Sequence, residues 1–129
     1  MTNISLLTLI IFLTTAVACT NKHEKIIKEY YAALFAGNLD GMEAVMVPQQ
    51  AAILFPMMGQ DVIHGKFKGC TVESIKKQPD KLPIGEKDTE LKITEMTLYL
   101  VDFKCPDKMR TDKMLVLKQD GQLRVGLKN

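Results

Sequence analysis

The sequence predicts an α+β domain, with N-terminal helices packed on an antiparallel β-sheet. Three observations carry this. Apolar residues recur at helical spacing from Asn21 to about Val47, they alternate from Cys70 onward, and an Asp-Gly turn divides the last alternating run into a hairpin. At 129 residues the chain fits one domain with a single modest core.

The segment before the first helix has a different character. Residues 1–21 contain no charged side chain, and their densest apolar part is "LLTLIIFL", Leu6 to Leu13. That is the length of a signal-peptide hydrophobic region and too short to cross a bilayer alone. Extended to Asn21, the uncharged run is long enough for a tilted span, and an uncleaved anchor is the alternative, a poor one with Thr14, Thr15, Thr20 and Asn21 in it. "Ala16-Val17-Ala18" then supplies the small-x-small pattern that a signal peptidase accepts, and Cys19 follows it directly.

"Ala16-Val17-Ala18-Cys19" resembles the lipobox of bacterial lipoproteins. The resemblance implies a cleaved signal peptide over 1–18, acylation of Cys19 (diacylglycerol on the thiol and a palmitate-type chain on the new amine), and one lipid-anchored domain over 19–129. Its partner is then the membrane, through that lipid. Thr20 and Asn21 follow the cysteine, and no aspartate retains the protein at the inner membrane. By resemblance to lipoprotein sorting, a Gram-negative host sends it to the outer membrane, facing the periplasm. The other reading of the same bond is ordinary secretion, with Cys19 left as a thiol.

Lipidation of Cys19 leaves Cys70 and Cys105 as an even pair in an oxidising compartment. A bridge between them closes a loop of about 35 residues, which the chain-entropy relation values at about 3 to 4 kcal/mol. Two reduced, buried thiols are the alternative, because spacing alone does not show whether their Cβ atoms meet. No metal-ligand spacing joins the cysteines to His23 and His64.

The first helix is predicted over "NKHEKIIKEYYAALFAG", where Ile26, Tyr30 and Leu34 lie beside Ile27, Tyr31 and Phe35 in one broad stripe. Asn21 with Glu24 has the form of a capping box, Glu24 and Lys28 are one turn apart, and Gly37-Asn38 stops the helix. A second helix fits "DGMEAVMV", with Asp40 and Glu43 as its capping box and Pro48 as its end. The next stretch, "AAILFPMMGQDVIHGKFKG", is broken by Pro56, Gly59, Gly65 and Gly69, and fits a third short helix followed by a strand or hairpin.

Strands begin with "CTVESIKK". After the loop "QPDKLPIGEKDTE" comes "LKITEMTLYLVDFK", where Leu91, Ile93, Thr97, Tyr99, Val101 and Phe103 share one face. Met96, Leu98 and Leu100 occupy the other face, which implies cover on both sides or a bulge. "CPDKMRTD" is predicted as a turn. The closing hairpin is "KMLVLKQDGQLRVGLK", with Leu123, Val125 and Leu127 pointing to the core.

"EKIIKEYYAALFAGNLDGMEAVM" and "DKMLVLKQDGQLRVGLK" resemble the opening helices and closing hairpin of the nuclear-transport-factor-like (cystatin-like) cone superfamily, in particular its small bacterial lipoproteins. The resemblance implies a sheet curved around the long helix, with a pocket at its wide end. Candidate pocket residues are then Tyr31, Phe35, Phe55, His64 and Tyr99. Each also has a plainer role: Tyr31 and Phe35 as core, Tyr99 as cross-strand packing, and His64 as a solvated turn residue. Met42, Met46, Met57 and Met58 fit either an adaptable groove or core filling, and His23 fits a surface position.

Charge excludes one class of partner. Seventeen basic and fifteen acidic residues give a net charge of +2, with no basic block or Arg-aromatic cluster, so nucleic acid is not expected. No catalytic triad, phosphate loop, paired-carboxylate motif or cofactor fingerprint is recognisable. The function expected is a non-enzymatic envelope binding domain for a protein, peptide or apolar ligand. The alternatives are an inhibitor or immunity-type lipoprotein, and an isomerase- or hydratase-type enzyme using the pocket.

Intact-mass measurement of membrane-extracted protein tests the N-terminal reading. The native chain is expected to lose 18 residues and gain acyl mass, and Cys19→Ser to lose both changes. A native mass equal to the unmodified full chain rejects it.

Overall fold

A computed structural model of the chain describes residues 22–79 and 93–128. The expectations for Cys19, the Asn21 cap and Leu91 fall outside the described residues. Within them lie α1 (Lys22–Ala36), α2 (Leu39–Val45), α3 (Pro48–Ile63), β1 (Thr71–Lys77), β2 (Ile93–Lys104), β3 (Met109–Gln119) and β4 (Gln122–Leu127). The strands form one open antiparallel sheet in the order β1-β2-β3-β4, and the fold class is α+β.

α1 buries Ile27, Tyr30, Tyr31, Ala33 and Leu34, the stripe that its periodicity requires. It ends in a Schellman motif: Gly37 takes φ +71°, its N–H reaches the Leu34 carbonyl, and the Asn38 N–H reaches that of Ala33 at 2.9 Å. Gly37 is required twice over, because a Cβ there would also lie 2.9 Å from the Val62 carbonyl oxygen of α3.

The cap of α2 differs from expectation. Asn38, not Asp40, is the N-cap, its side-chain oxygen accepting from the Gly41 N–H at 3.0 Å. Asn38 therefore closes one helix and opens the next. The expected Glu24–Lys28 ion pair is also not formed; the described residues pair Lys66 with Asp61 at 3.4 Å instead.

Residues 48–63 form a single 16-residue helix, and no strand follows before β1. Pro48 starts this helix at its first turn, where a missing N–H costs nothing. Pro56 does not break it. Pro56 and Ala52, whose carbonyl it leaves unpaired, are both exposed, so water takes the freed acceptor. A second Schellman motif stops α3: Gly65 takes φ +80° and the Lys66 N–H reaches the Asp61 carbonyl.

β2 and β3 pair along nearly their whole lengths, and the register shift at Ile93/Glu95 lies before the two-faced stretch, so that pattern reflects cover on both faces and not a bulge. Val101, Phe103, Met114, Val116 and Val125 join the α1 stripe in the core, while Leu98 and Leu117, on the other parity, are buried too. β3 begins at Met109, so Met109–Asp112 belong to the strand and not to the turn expected there. Asp120 and Gly121 both take positive φ, as a two-residue hairpin loop demands. Val125 is fully buried, and Leu123 and Leu127 pack half-buried against the core.

The edge of β4 is not left bare. The Val47 N–H donates to the Val125 carbonyl at 3.0 Å, and the Gln50 side-chain amide pairs with both backbone groups of Leu127. Gln50 thus extends the ladder as a strand would. A Cβ on Gly126 would sit 2.9 Å from Gln50 Oε1, so glycine makes this approach possible.

Cys70 and Cys105 form a disulfide that ties the start of β1 to the end of β2 across a separation of 35 residues. Replacing both by serine is expected to lower stability by about 3 to 4 kcal/mol, read as a lower urea midpoint. An unchanged midpoint would remove the bridge from the account of stability.

Candidate functional site

β3 places Arg110, Asp112, Met114 and Val116 on one parity, facing the helices. Met114 and Val116 are fully buried in the core, but Asp112 and Arg110 lie nearer the strand's start and line a cavity of about 430 Å³. Tyr30 and Leu34 of α1, Met58 of α3, Phe103 of β2 and Leu127 of β4 form its apolar walls, and Phe67 closes one side.

The Tyr31 hydroxyl donates to Asp112 Oδ2 at 2.8 Å, joining residues 81 positions apart. Burial raises the Asp112 carboxyl above the usual carboxylate range, against the opposing pull of the Tyr31 hydrogen bond and the Arg110 charge. Burial, with Asp112 next in importance, also pushes both tyrosine hydroxyls well above their ordinary value. They remain protonated donors at neutral pH. The Arg110 guanidinium lies 5.6 Å from the centre of the Phe67 ring, and its Nε is buried with no hydrogen-bond partner.

This set combines an apolar chamber, a carboxyl that holds its proton longer than usual, and a cation with donors to spare. It can hold a small molecule and fix its polar end. Among the described residues no cluster of three His, Cys, Asp or Glu side chains could hold a metal ion.

The five candidate residues do not converge. Tyr31 is fully buried in an aromatic cluster with Phe35 and Phe103, at ring separations of 5.7 and 5.3 Å, and reaches the cavity only through Asp112. Phe35 is half-buried there. Phe55 is half-buried on α3 near Gly59, and His64 is the exposed C-cap of the same helix. Tyr99 lies four residues before Phe103 on β2, which places it about 13 Å away along the strand.

Tyr99 belongs to a second, more polar cleft of about 650 Å³ at the start of α1, beside Lys22, Lys77, Glu95 and Lys118. His23 is there as well. It is half-buried, not simply at the surface, with Nδ1 hydrogen-bonded to the Tyr99 hydroxyl at 2.9 Å. Burial, then the Lys77 charge, lowers its pKa.

Asp112, Arg110 and Tyr30 were not singled out by sequence reasoning. The available signal was parity: Asp112 stands two and four residues before Met114 and Val116, an acid in register with core positions. Assigning that stretch to a turn concealed it.

The Asp112 shift has a testable sign. Burial holds its proton in the fold above the ordinary carboxylate range, so this group withdraws stability as pH rises from there. Asp112→Asn keeps an oxygen to accept from Tyr31. In urea titrations the variant should gain on the native chain as pH rises from about 4, and parallel curves would contradict this.

Comparison with protein-family models, with curated proteins and with solved structures gives no match for this chain, and a functional assignment rests on the geometry of its cavity.

Proposed function

We propose that this chain is a lipid-anchored envelope protein whose helix–sheet cavity binds a small apolar or amphipathic molecule. The observation that carries the reading is the cavity itself. At about 430 Å³ it falls in the size range of ligand sites, and its apolar walls with a few polar groups are the usual composition of such sites. The anchor rests on the lipobox at Cys19, which in a Gram-negative host puts the domain on the periplasmic side of the outer membrane. The cavity is lined by Tyr30 and Leu34, in the middle and last turn of α1.

An acid–base enzyme has one specific observation in its favour, the raised Asp112 carboxyl facing the cavity. An inhibitor or immunity role would instead show as a tight complex with one envelope enzyme. The binding reading accounts for more of the wall, because most of it is apolar.

The full chain in phosphatidylcholine nanodiscs should bind the neutral fluorophore 1-aminoanthracene saturably, above protein-free nanodiscs. Met58→Trp, which fills the cavity from α3, should weaken this by about tenfold. Absence of saturable binding by the native chain rejects the reading.

A further inference from the structure

A second apolar groove adjoins the cavity. Leu127 lines it on one side and on the other faces a groove of about 290 Å³ formed with Met46, Ile53, Leu54 and Met57. Met58, in the cavity, is the next residue along α3. Ile53 and Met57 are 68% and 79% exposed one turn apart, on a helix whose only charged residue is Asp61. Scattered exposed apolar side chains need no explanation, but two adjoining ones beside a groove that shares Leu127 with the cavity form an apolar track.

At the cavity end the track meets positive charge. Arg110 has no carboxylate within ion-pair reach among the described residues, its Nε lacks an acceptor, and Lys108 lines the same cavity. The Arg110 guanidinium lies over the Phe67 ring, and the N–H donors of a guanidinium lie in its plane as a fork that takes two oxygens of one acid group. The Asp112 side chain is engaged by Tyr31. A doubly charged phosphate would meet that acidic neighbour at greater cost than a singly charged carboxylate.

Resting on the binding reading above, we propose that the ligand is a single-chain carboxylate amphiphile, with its head on Arg110 and its chain passing Leu127 into the groove along α3. The polar end is then selected by the unpartnered cation and the tail by the uncharged face of α3. An uncharged ligand would leave Arg110 without an acceptor, and a cationic one would be repelled by it.

Dodecanoate, hexanoate and dodecanol, titrated calorimetrically into the full chain in phosphatidylcholine nanodiscs against protein-free nanodiscs, test this. Dodecanoate should bind more tightly than dodecanol, and Arg110→Gln should weaken dodecanoate by about tenfold while leaving dodecanol unchanged. Arg110→Lys, which keeps the charge and the stem over Phe67, should recover part of the loss and guards against a folding defect. Met57→Gln, at an exposed position, should weaken dodecanoate by about fourfold for each methylene that loses its cover, and spare hexanoate. Equal binding of dodecanol and dodecanoate, or indifference to Arg110→Gln, overturns the carboxylate assignment while 1-aminoanthracene binding still upholds the cavity. Failure of all these probes removes the cavity reading itself.

Discussion

The described fold depends first on the contact between the aromatic stripe of α1 and the helix-facing side of β2 and β3. Ile27, Tyr30, Tyr31 and Leu34 meet Val101, Phe103, Met114 and Val116 with almost no solvent exposure. Each such side chain contributes on the order of 1.5 to 3 kcal/mol on burial, so this one interface is comparable to the whole net stability of a small domain. Tyr31 adds direction to it. Its hydrogen bond to Asp112 sets how α1 lies over β3, since sliding the helix would strand a buried carboxyl and a buried hydroxyl together.

The rest of the molecule accommodates that contact. The Schellman motif at Gly37 turns the chain from α1 into α2, and the one at Gly65 turns it from α3 toward β1. At the far edge, Val47 and Gln50 supply the pairing that β4 would otherwise seek from another molecule. The disulfide fixes the opposite edge, and Asp102 accepts from Ser74 of β1 and Thr111 of β3, clipping three strands together. Core packing weakens toward the start of β3. There Asp112 and Arg110 take inward positions that apolar residues hold further along, and the space they do not fill is the cavity.

Much of this architecture was legible in the order of residues. The α1 stripe, its stop at Gly37-Asn38 and the Asp120-Gly121 hairpin depend on neighbours within a few positions, where spacing and backbone freedom decide the outcome. Legibility failed where one local signal overrode another. Pro56 suggested a break, yet its exposed position makes the lost hydrogen bond harmless. Asp40 looked like a cap, yet Asn38 was already placed by the end of α1. The turn after Cys105 is shorter than its polar composition suggested, because Met109–Asp112 are held by pairing with Lys104–Val101, a partner no local pattern reveals.

By itself the sequence determined the α+β class, the helix-then-sheet order and the alternation of the strands, all consequences of short-range periodicity and turn chemistry. Only the tertiary structure decided that Cys70 bonds Cys105, that Asp112 receives Tyr31 from 81 residues away, and that Arg110 lies against Phe67 with its buried Nε lacking an acceptor among the described residues. The physical reason is the same in each case. These contacts join segments brought together by core packing, and their chemistry depends on burial and distance, which no spacing along the chain records.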